Sequence, residues 1–144
     1  MPRPSAATAP DFPTMDQTAG DPGLQRIRDA LLAADLEEDD RARALEMIDR
    51  EARASKAAAR AERDRALASY AAEALPGMKP TPAAMATLTA LHRYVTAGWP
   101  RDRNRVGLPD RLANHPDRHL WAAVACGAPM PTTARTIYTA LTGR

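Results

Sequence analysis

The sequence contains little cysteine, little aromatic surface and no long hydrophobic run. Its 144 residues include a single cysteine, Cys126, which excludes an internal disulfide framework. No segment approaches the roughly 20 consecutive apolar residues that a membrane-spanning helix needs, and no basic stretch followed by an apolar run indicates a secretory signal. Together these absences predict a soluble, cytoplasmic protein that does not act at a membrane.

Signals for β-strands are missing as well. The chain has no long alternating runs of Val, Ile, Thr and Tyr, which are typical of strands. Hydrophobic residues make up 44% of the sequence and aromatic residues 4%. Much of the hydrophobic share is alanine, the residue with the highest helix propensity. This composition predicts an all-α fold whose core is thin or is built from close helix contacts.

Motifs for catalysis are also absent. There is no Gly-rich phosphate loop, no nucleophile elbow and no pair of carboxylates in an apolar context, so we expect neither enzyme activity nor a cofactor. His115 and His119 lie four residues apart, but a zinc site needs one or two further ligands. Cys126 and Asp117 are poorly placed to supply them, and we therefore predict no metal site.

Composition divides the chain into three regions. Residues 1–20 combine Pro, Ala, Ser and Thr with few large apolar side chains, which predicts a flexible N-terminal arm. Residues 21–75 predict a helical hairpin for contact with other proteins or with another copy of the chain. Residues 76–144 predict a basic bundle of short helices.

One helix of the predicted hairpin is unusually long. A first helix is expected from Pro22, behind the N-cap Asp21, to about Ala34. The second helix is expected to run to about Ala74, with repeated acid–base pairs four residues apart that are typical of a solvated helix surface. Its length of about 55 Å, at 1.5 Å per residue, suggests either a coiled-coil contact with another copy or a charged helix that packs on its own neighbours.

Capping residues followed by proline mark the shorter helices of the C-terminal region. Thr81 and Pro82 predict the start of one helix, and His115 and Pro116 predict the start of another. A last helix is expected after the cap Thr132 or Thr133. The buried face predicted for the first of these helices holds Met85, Leu88, Leu91 and Val95.

Charge is distributed unevenly along the chain. Residues 1–75 carry 11 basic and 15 acidic side chains, whereas residues 76–144 carry 9 basic and 3 acidic ones. Apart from Lys56 and Lys79, every basic residue is an arginine. The planar guanidinium group binds phosphate and stacks on bases, so the basic C-terminal region favours a polyanionic partner.

The centre of this bias is the segment 98–109, GWPRDRNRVGLP, whose glycines and prolines predict neither helix nor strand. Arginines at alternate positions of an extended segment can follow successive phosphates. Trp99 either stacks on an unpaired base or fills the core. The alternative for the arginines is pairing with nearby aspartates. The candidate nucleic-acid-binding residues are Arg93, Trp99, Arg101, Arg103, Arg105, Arg111, Arg118 and Arg135.

These features predict a non-enzymatic helical subunit of a larger nucleoprotein or viral-type assembly, which contacts the phosphate backbone of DNA or RNA. Its layout is similar to that of small helical accessory subunits in viral DNA-packaging or RNA-guided complexes. One alternative is a structural adaptor that acts through protein contacts alone, within a multi-subunit complex or a homo-oligomer. A second is a helix-turn-helix regulator that uses the last two helices, with polar residues such as Thr132 and Thr136 facing a DNA groove.

Overall fold

A computed structural model describes residues 22–144 of the chain, and the predicted arm at 1–20 lies outside these residues. The described part is helical and contains no strand, which confirms the all-α prediction. Its α-helices are α1 (Pro22–Ala33), α2 (Glu38–Ala74), α3 (Pro80–Arg93), α4 (Trp99–Asp102), α5 (Asp117–Ala125) and α6 (Ala134–Thr142). A π turn spans Tyr94–Gly98, and a 3-10 turn spans Asp110–Leu112. No helix among residues 22–144 has the length and apolar character that crossing a membrane requires.

The chain divides into two compact units, residues 1–48 and 49–144, and the division falls inside α2. The described part of unit 1 consists of α1 and the first part of α2. Arg41 joins these two segments, because its Nη2 donates to the carbonyl oxygens of Ala34 at 2.9 Å and Leu36 at 3.3 Å. Both carbonyls follow Ala33, the last residue of α1, so Arg41 fixes the connection between the two helices to the first turn of α2.

Unit 2 contains the hydrophobic core. Leu67 of α2, Leu120 of α5 and Ile137 of α6 are completely buried. The buried cluster consists of Leu67, Tyr70, Ala84, Ala90, Leu91, Tyr94, Leu112, Leu120, Ala123 and Ile137. Small residues allow the helices to approach closely, which is how a chain with so few aromatics closes a core.

The buried face of α3 differs from the prediction. Met85 was expected inside but is 56% exposed, and Leu88 and Val95 are half-buried. The residues of α3 that are buried are Ala83, Ala84, Thr87, Ala90 and Leu91. Helix α6 packs against α3. The prediction followed the largest side chains, whereas close packing of two helices puts the small ones at the contact.

The segment predicted as irregular begins as a helix. Helix α3 continues through the π turn into α4, so Arg101 lies on a helix and the extended conformation is wrong for residues 98–102. A π turn widens the backbone by one residue: the Trp99 N–H donates to the Tyr94 carbonyl, five residues back. This wider turn accommodates Pro100, which has no N–H and would clash with the carbonyl four residues earlier in a regular α-helix.

The predicted caps of the short helices hold only at α6. Helix α3 begins at Pro80, behind Lys79, and not at Pro82 behind Thr81. Thr133 is the N-cap of α6, as predicted, and its hydroxyl accepts from the Thr136 N–H at 3.4 Å. His115 was expected to cap α5, but Pro116 occupies the cap position. His115 still contributes, because its Nδ1 accepts a hydrogen bond from the Asp117 N–H at 3.1 Å.

Candidate nucleic-acid interface

The predicted arginines fall into two groups in the structure. Arg111 and Arg118 form close ion pairs with carboxylates of their own unit. The others are exposed: Arg93, Arg101, Arg103, Arg105 and Arg135. Of these, Arg101 lies near a carboxylate, with its Nε 3.8 Å from Oδ1 of Asp102. The structure thus separates arginines that hold the fold together from arginines that face solvent.

Asp102 is the centre of the first group. Its side chain has no solvent exposure, and its Oδ2 accepts hydrogen bonds from the Tyr94 hydroxyl at 2.8 Å and from Nη2 of Arg111. The Arg111 side chain is 41% exposed, so the pair has one buried and one partly solvated member. This contact ties the end of α4 to the 3-10 turn at 110–112. It anchors both ends of the segment 103–109, which we call the arginine loop.

The environment of Asp102 favours its charged form. Burial alone raises the pKa of a carboxyl group, because it penalises the charge. Here the hydrogen bonds from Arg111 and Tyr94, together with the charges of Arg111 and Arg101, outweigh burial and lower the pKa of Asp102. The other oxygen, Oδ1, is buried and accepts no hydrogen bond from residues 22–144. Asp102 is therefore an ionised, buried anchor at neutral pH.

Gly98 makes the position of Tyr94 possible. A Cβ atom at Gly98 would lie 2.6 Å from the ring atoms Cδ2 and Cε2 of Tyr94, closer than non-bonded carbon atoms approach. The π turn therefore brings Gly98 against the face of the tyrosine ring. Thr96 completes the turn, since its hydroxyl donates to the carbonyls of His92 at 2.9 Å and Arg93 at 3.1 Å.

Arg118 lies in a second cluster, at the start of α5. Its Nη1 and Nη2 donate to the two carboxylate oxygens of Glu73 at 2.9 and 2.5 Å, and Nε2 of His119 lies 2.9 Å from Oε2. These contacts lower the pKa of Glu73. The hydrogen bond from His119 lowers the pKa most, and the hydrogen bond and charge of Arg118 lower it further. Burial of the carboxyl group raises the pKa, but by less than the His119 hydrogen bond lowers it. Arg118 thus links α5 to the end of α2.

Among the predicted nucleic-acid-binding arginines, those of the arginine loop have no acidic partner in the described chain. Arg103 and Arg105 are exposed, and neither side chain makes an ion pair or hydrogen bond with the described residues 22–144. Val106, between Arg105 and Gly107, is fully exposed at the tip. Asp110, which follows the loop, is also exposed. Since Arg111 neutralises Asp102, the loop and its flanks keep an excess of positive charge.

The burial of Trp99 is intermediate between the two roles that the sequence suggests, packing in the core and stacking on a base. It is half-buried and packs against the core cluster, and its Nε1 is buried without an acceptor among residues 22–144. Most of the indole therefore serves packing. Trp99 is also the first residue of α4, where it leads directly into the arginines at 101, 103 and 105.

The last two helices do not have the spacing of a typical helix-turn-helix. Eight residues, 126–133, separate α5 from α6, whereas the motif uses a turn of about three or four. The hydroxyls of Thr133 and Thr136 lie 3.1 Å apart at the helix start. Arg135 follows them in the first turn, exposed and without a side-chain partner in the described chain.

His119 and Cys126, which the sequence raised as possible metal ligands, make other contacts in the structure. No group of three or more His, Cys, Asp or Glu side chains within residues 22–144 is arranged to hold a metal ion. Cys126 is half-buried, and its Sγ contacts the carbonyls of Ala123 at 3.1 Å and Ala59 at 3.5 Å. These contacts account for the thiol as part of the packing between α5 and α2.

Sequence reasoning missed Tyr94 and Gly98, and treated Asp102 merely as a neutralising neighbour. A signal for the first pair exists: Tyr94 and Gly98 lie one helical turn apart, and Asp102 follows one turn later. The glycine and proline at 98 and 100 concealed this spacing, because they indicate a broken helix.

Comparison with known proteins gives no match. No protein-family model matches the sequence, and neither a curated protein nor a solved structure is significantly similar to it.

Proposed function

We propose that this protein is a cytoplasmic, non-enzymatic subunit of a nucleoprotein or viral-type assembly, and that its arginine loop binds the phosphate backbone of a nucleic acid. The observation that carries the proposal is the pair Arg103 and Arg105, exposed and without an anionic partner in the described chain, on a loop anchored by a buried ion pair. Anchoring lowers the entropy that a binding loop loses when it orders on its ligand.

The charge of unit 2 supports a polyanionic ligand. Residues 49–144 carry 15 basic and 8 acidic side chains, a net charge of +7, whereas residues 1–48 carry 5 basic and 10 acidic ones, a net charge of −5. A positive domain attracts nucleic acid over distances of the order of the Debye length, about 10 Å at 0.1 M salt. The local excess in the loop then provides the contact.

The spacing between the exposed arginines also fits contact with a phosphate backbone. Arg101 and Arg105 are four residues apart across a turn in which the Arg105 N–H donates to the Asp102 carbonyl, so their Cα atoms lie closer than the ~14 Å of an extended segment. Duplex DNA carries one charge for every ~1.7 Å of its axis, so several phosphates lie within that span. Contacts of this kind give affinity and strong salt dependence without sequence specificity.

Arg135 supports the same interpretation. It lies in the first turn of α6, where the positive end of the helix dipole disfavours a cation. Its exposed guanidinium group has no side-chain partner in the described chain and is therefore available to an anion. Arg93 is exposed as well and extends the candidate surface at the end of α3.

The test measures binding of a fluorescent, random-sequence oligonucleotide, as single strand and as duplex, at several salt concentrations. We expect the logarithm of the association constant to fall linearly with the logarithm of the salt concentration, by about 0.7–0.9 for each phosphate contacted. The double variant Arg103→Gln/Arg105→Gln should lower this slope by about 1.4–1.8, which corresponds to two phosphate contacts. A matched control, Arg53→Gln/Arg60→Gln, removes the same charge from exposed positions of α2 in unit 2 and should retain the wild-type slope.

Each result decides the proposal. No binding at low salt overturns it in favour of an adaptor that contacts proteins alone. Equal losses in the loop variant and the control show general electrostatic attraction and also overturn a specific role for the loop. A preference for one defined duplex sequence that survives the loop substitutions favours a regulator that reads DNA with its last helices.

A further inference from the structure

The tip of the arginine loop is apolar. Val106 is fully exposed and is the most exposed large apolar side chain among residues 22–144, and Leu108 is exposed as well. Between them Gly107 has a φ of +85°, a conformation that turns the chain and that residues other than glycine rarely adopt. The turn therefore holds two apolar side chains in water directly after Arg105.

The base of the loop is fixed on both sides of this tip. The Arg105 N–H donates to the Asp102 carbonyl at 3.0 Å. On the other side Pro109 is buried, and its carbonyl accepts from the Leu112 N–H at 2.8 Å. The intervening residues 103–108 are all exposed. The loop is thus an anchored segment that faces solvent, and it loses little entropy when it binds a ligand.

The composition of the loop disfavours single-stranded nucleic acid. Proteins hold unpaired bases by stacking them on aromatic side chains, and residues 103–109 include no aromatic residue. Trp99, which precedes the loop, packs against the core cluster and has a buried Nε1. Aliphatic side chains beside arginines are typical of contact with the sugars and base edges of a duplex.

The shape of the loop favours the minor groove of that duplex. The major groove, about 12 Å wide, is read by an α-helix or a β-ribbon, and residues 103–109 form neither. The minor groove, about 6 Å wide, is entered by irregular segments and by arginine and apolar side chains. Its negative potential is strongest where A·T tracts narrow it, and arginine is attracted there.

We infer that the arginine loop enters the minor groove of duplex DNA, with Val106 and Leu108 against sugars and base edges and with Arg103 and Arg105 beside the phosphates. The inference rests on the proposed function and names the ligand of the same site. It selects DNA over RNA, because the minor groove of duplex RNA is wide and shallow and gives the loop no narrow cleft.

Competition binding with fluorescent probes of equal length tests the inference. The probes are an A·T-tract duplex, a G·C duplex, an RNA duplex and a random single strand, and vesicles that contain phosphatidylserine are an additional probe. We expect the A·T duplex to bind several-fold more tightly than every other probe. Netropsin, which occupies the A·T minor groove, should displace the protein, whereas methyl green, which occupies the major groove, should not. Arg103→Gln/Arg105→Gln should remove the preference for A·T.

The variant Val106→Ser separates apolar contact from charge. We expect its affinity for the A·T duplex to fall about tenfold, the value of burying one valine side chain. Its salt dependence should equal that of the wild type, because the substitution removes no charge. The matched control Met85→Ser alters an apolar side chain that is 56% exposed in α3 and should bind as the wild type does. Circular dichroism of each variant verifies that its helices have formed.

The outcomes distinguish this inference from the proposed function. Equal or tighter binding of another nucleic acid, failure of netropsin to compete, or wild-type affinity of Val106→Ser overturns the inference. The proposed function survives these results if Arg103→Gln/Arg105→Gln still lowers the salt slope. A loop variant with the wild-type slope, or a protein that binds the vesicles and no nucleic acid, overturns both.

Discussion

The Tyr94 hydroxyl donates a hydrogen bond of 2.8 Å to Oδ2 of Asp102, and both side chains are buried. The contact spans the π turn and joins the end of α3 to α4. Burial is the main reason that the pKa of Tyr94 is raised, and the hydrogen bond to Asp102 adds to it. Tyr94 is thus a neutral donor at physiological pH. Together with Arg111 it holds the carboxylate that anchors the arginine loop.

Removing this hydroxyl should destabilise the protein. Tyr94→Phe leaves a buried carboxylate with one donor fewer, which costs about 1–3 kcal/mol of the free energy of unfolding. Urea denaturation measures the difference. Tyr138→Phe is the control, because that ring is 37% exposed and should change stability by less than about 0.5 kcal/mol. Equal effects of the two substitutions would contradict the role assigned to Tyr94.

Acid should weaken the protein through Asp102. Its pKa is lowered from the ordinary value of 3.8, so the stabilisation is complete above about that pH. It is lost as the pH falls through the lower pKa of the folded state, because the protonated carboxyl no longer pairs with Arg111. Denaturation between about pH 5 and pH 2 should show this loss in the wild type and a smaller loss in Asp102→Asn. Parallel pH profiles for the two proteins would refute the assignment.

An added methyl group at Gly98 should displace the Tyr94 ring. With a Cβ only 2.6 Å from two ring atoms, Gly98→Ala forces a shift that we expect to cost about 1–3 kcal/mol. In a Tyr94→Leu background the same substitution should be neutral or stabilising, since alanine has the higher helix propensity by about 1 kcal/mol. A double-mutant cycle in urea measures the coupling. Additive effects would show that the two residues do not interact.

The contacts around Glu73 predict a lowered pKa that an NMR titration can measure. Chiefly because of the hydrogen bond from His119, the carboxyl of Glu73 has a pKa below its ordinary value of 4.5. An NMR titration should find this low value in the wild type and a rise towards 4.5 in His119→Ala. His115→Ala is the control, because His115 lies beside Asp117, with Nδ1 3.6 Å from Oδ2, and should leave the pKa of Glu73 unchanged.

Periodicity and capping were sufficient to predict much of the fold. The all-α class, the long helix that ends at Ala74 and the cap at Thr133 followed from helix propensity and local hydrogen-bonding preferences. These are properties of neighbouring residues, which is why they can be read along the chain. The buried face of α3 was harder, because the helix that covers it comes from the far end of the sequence.

The predicted nucleic-acid interface also depends on contacts between residues that are distant in the sequence. The excess of arginine in the C-terminal half is a property of composition and was evident at once. Which arginines face solvent depends on which carboxylates the fold brings near them, and Glu73 meets Arg118 across 45 residues of chain. Ion pairs between distant residues, and a π turn that carries a helix through Pro100, arise from packing in three dimensions. Local sequence therefore determined the helices and the overall charge, whereas tertiary contacts decided which charges remain available to a partner.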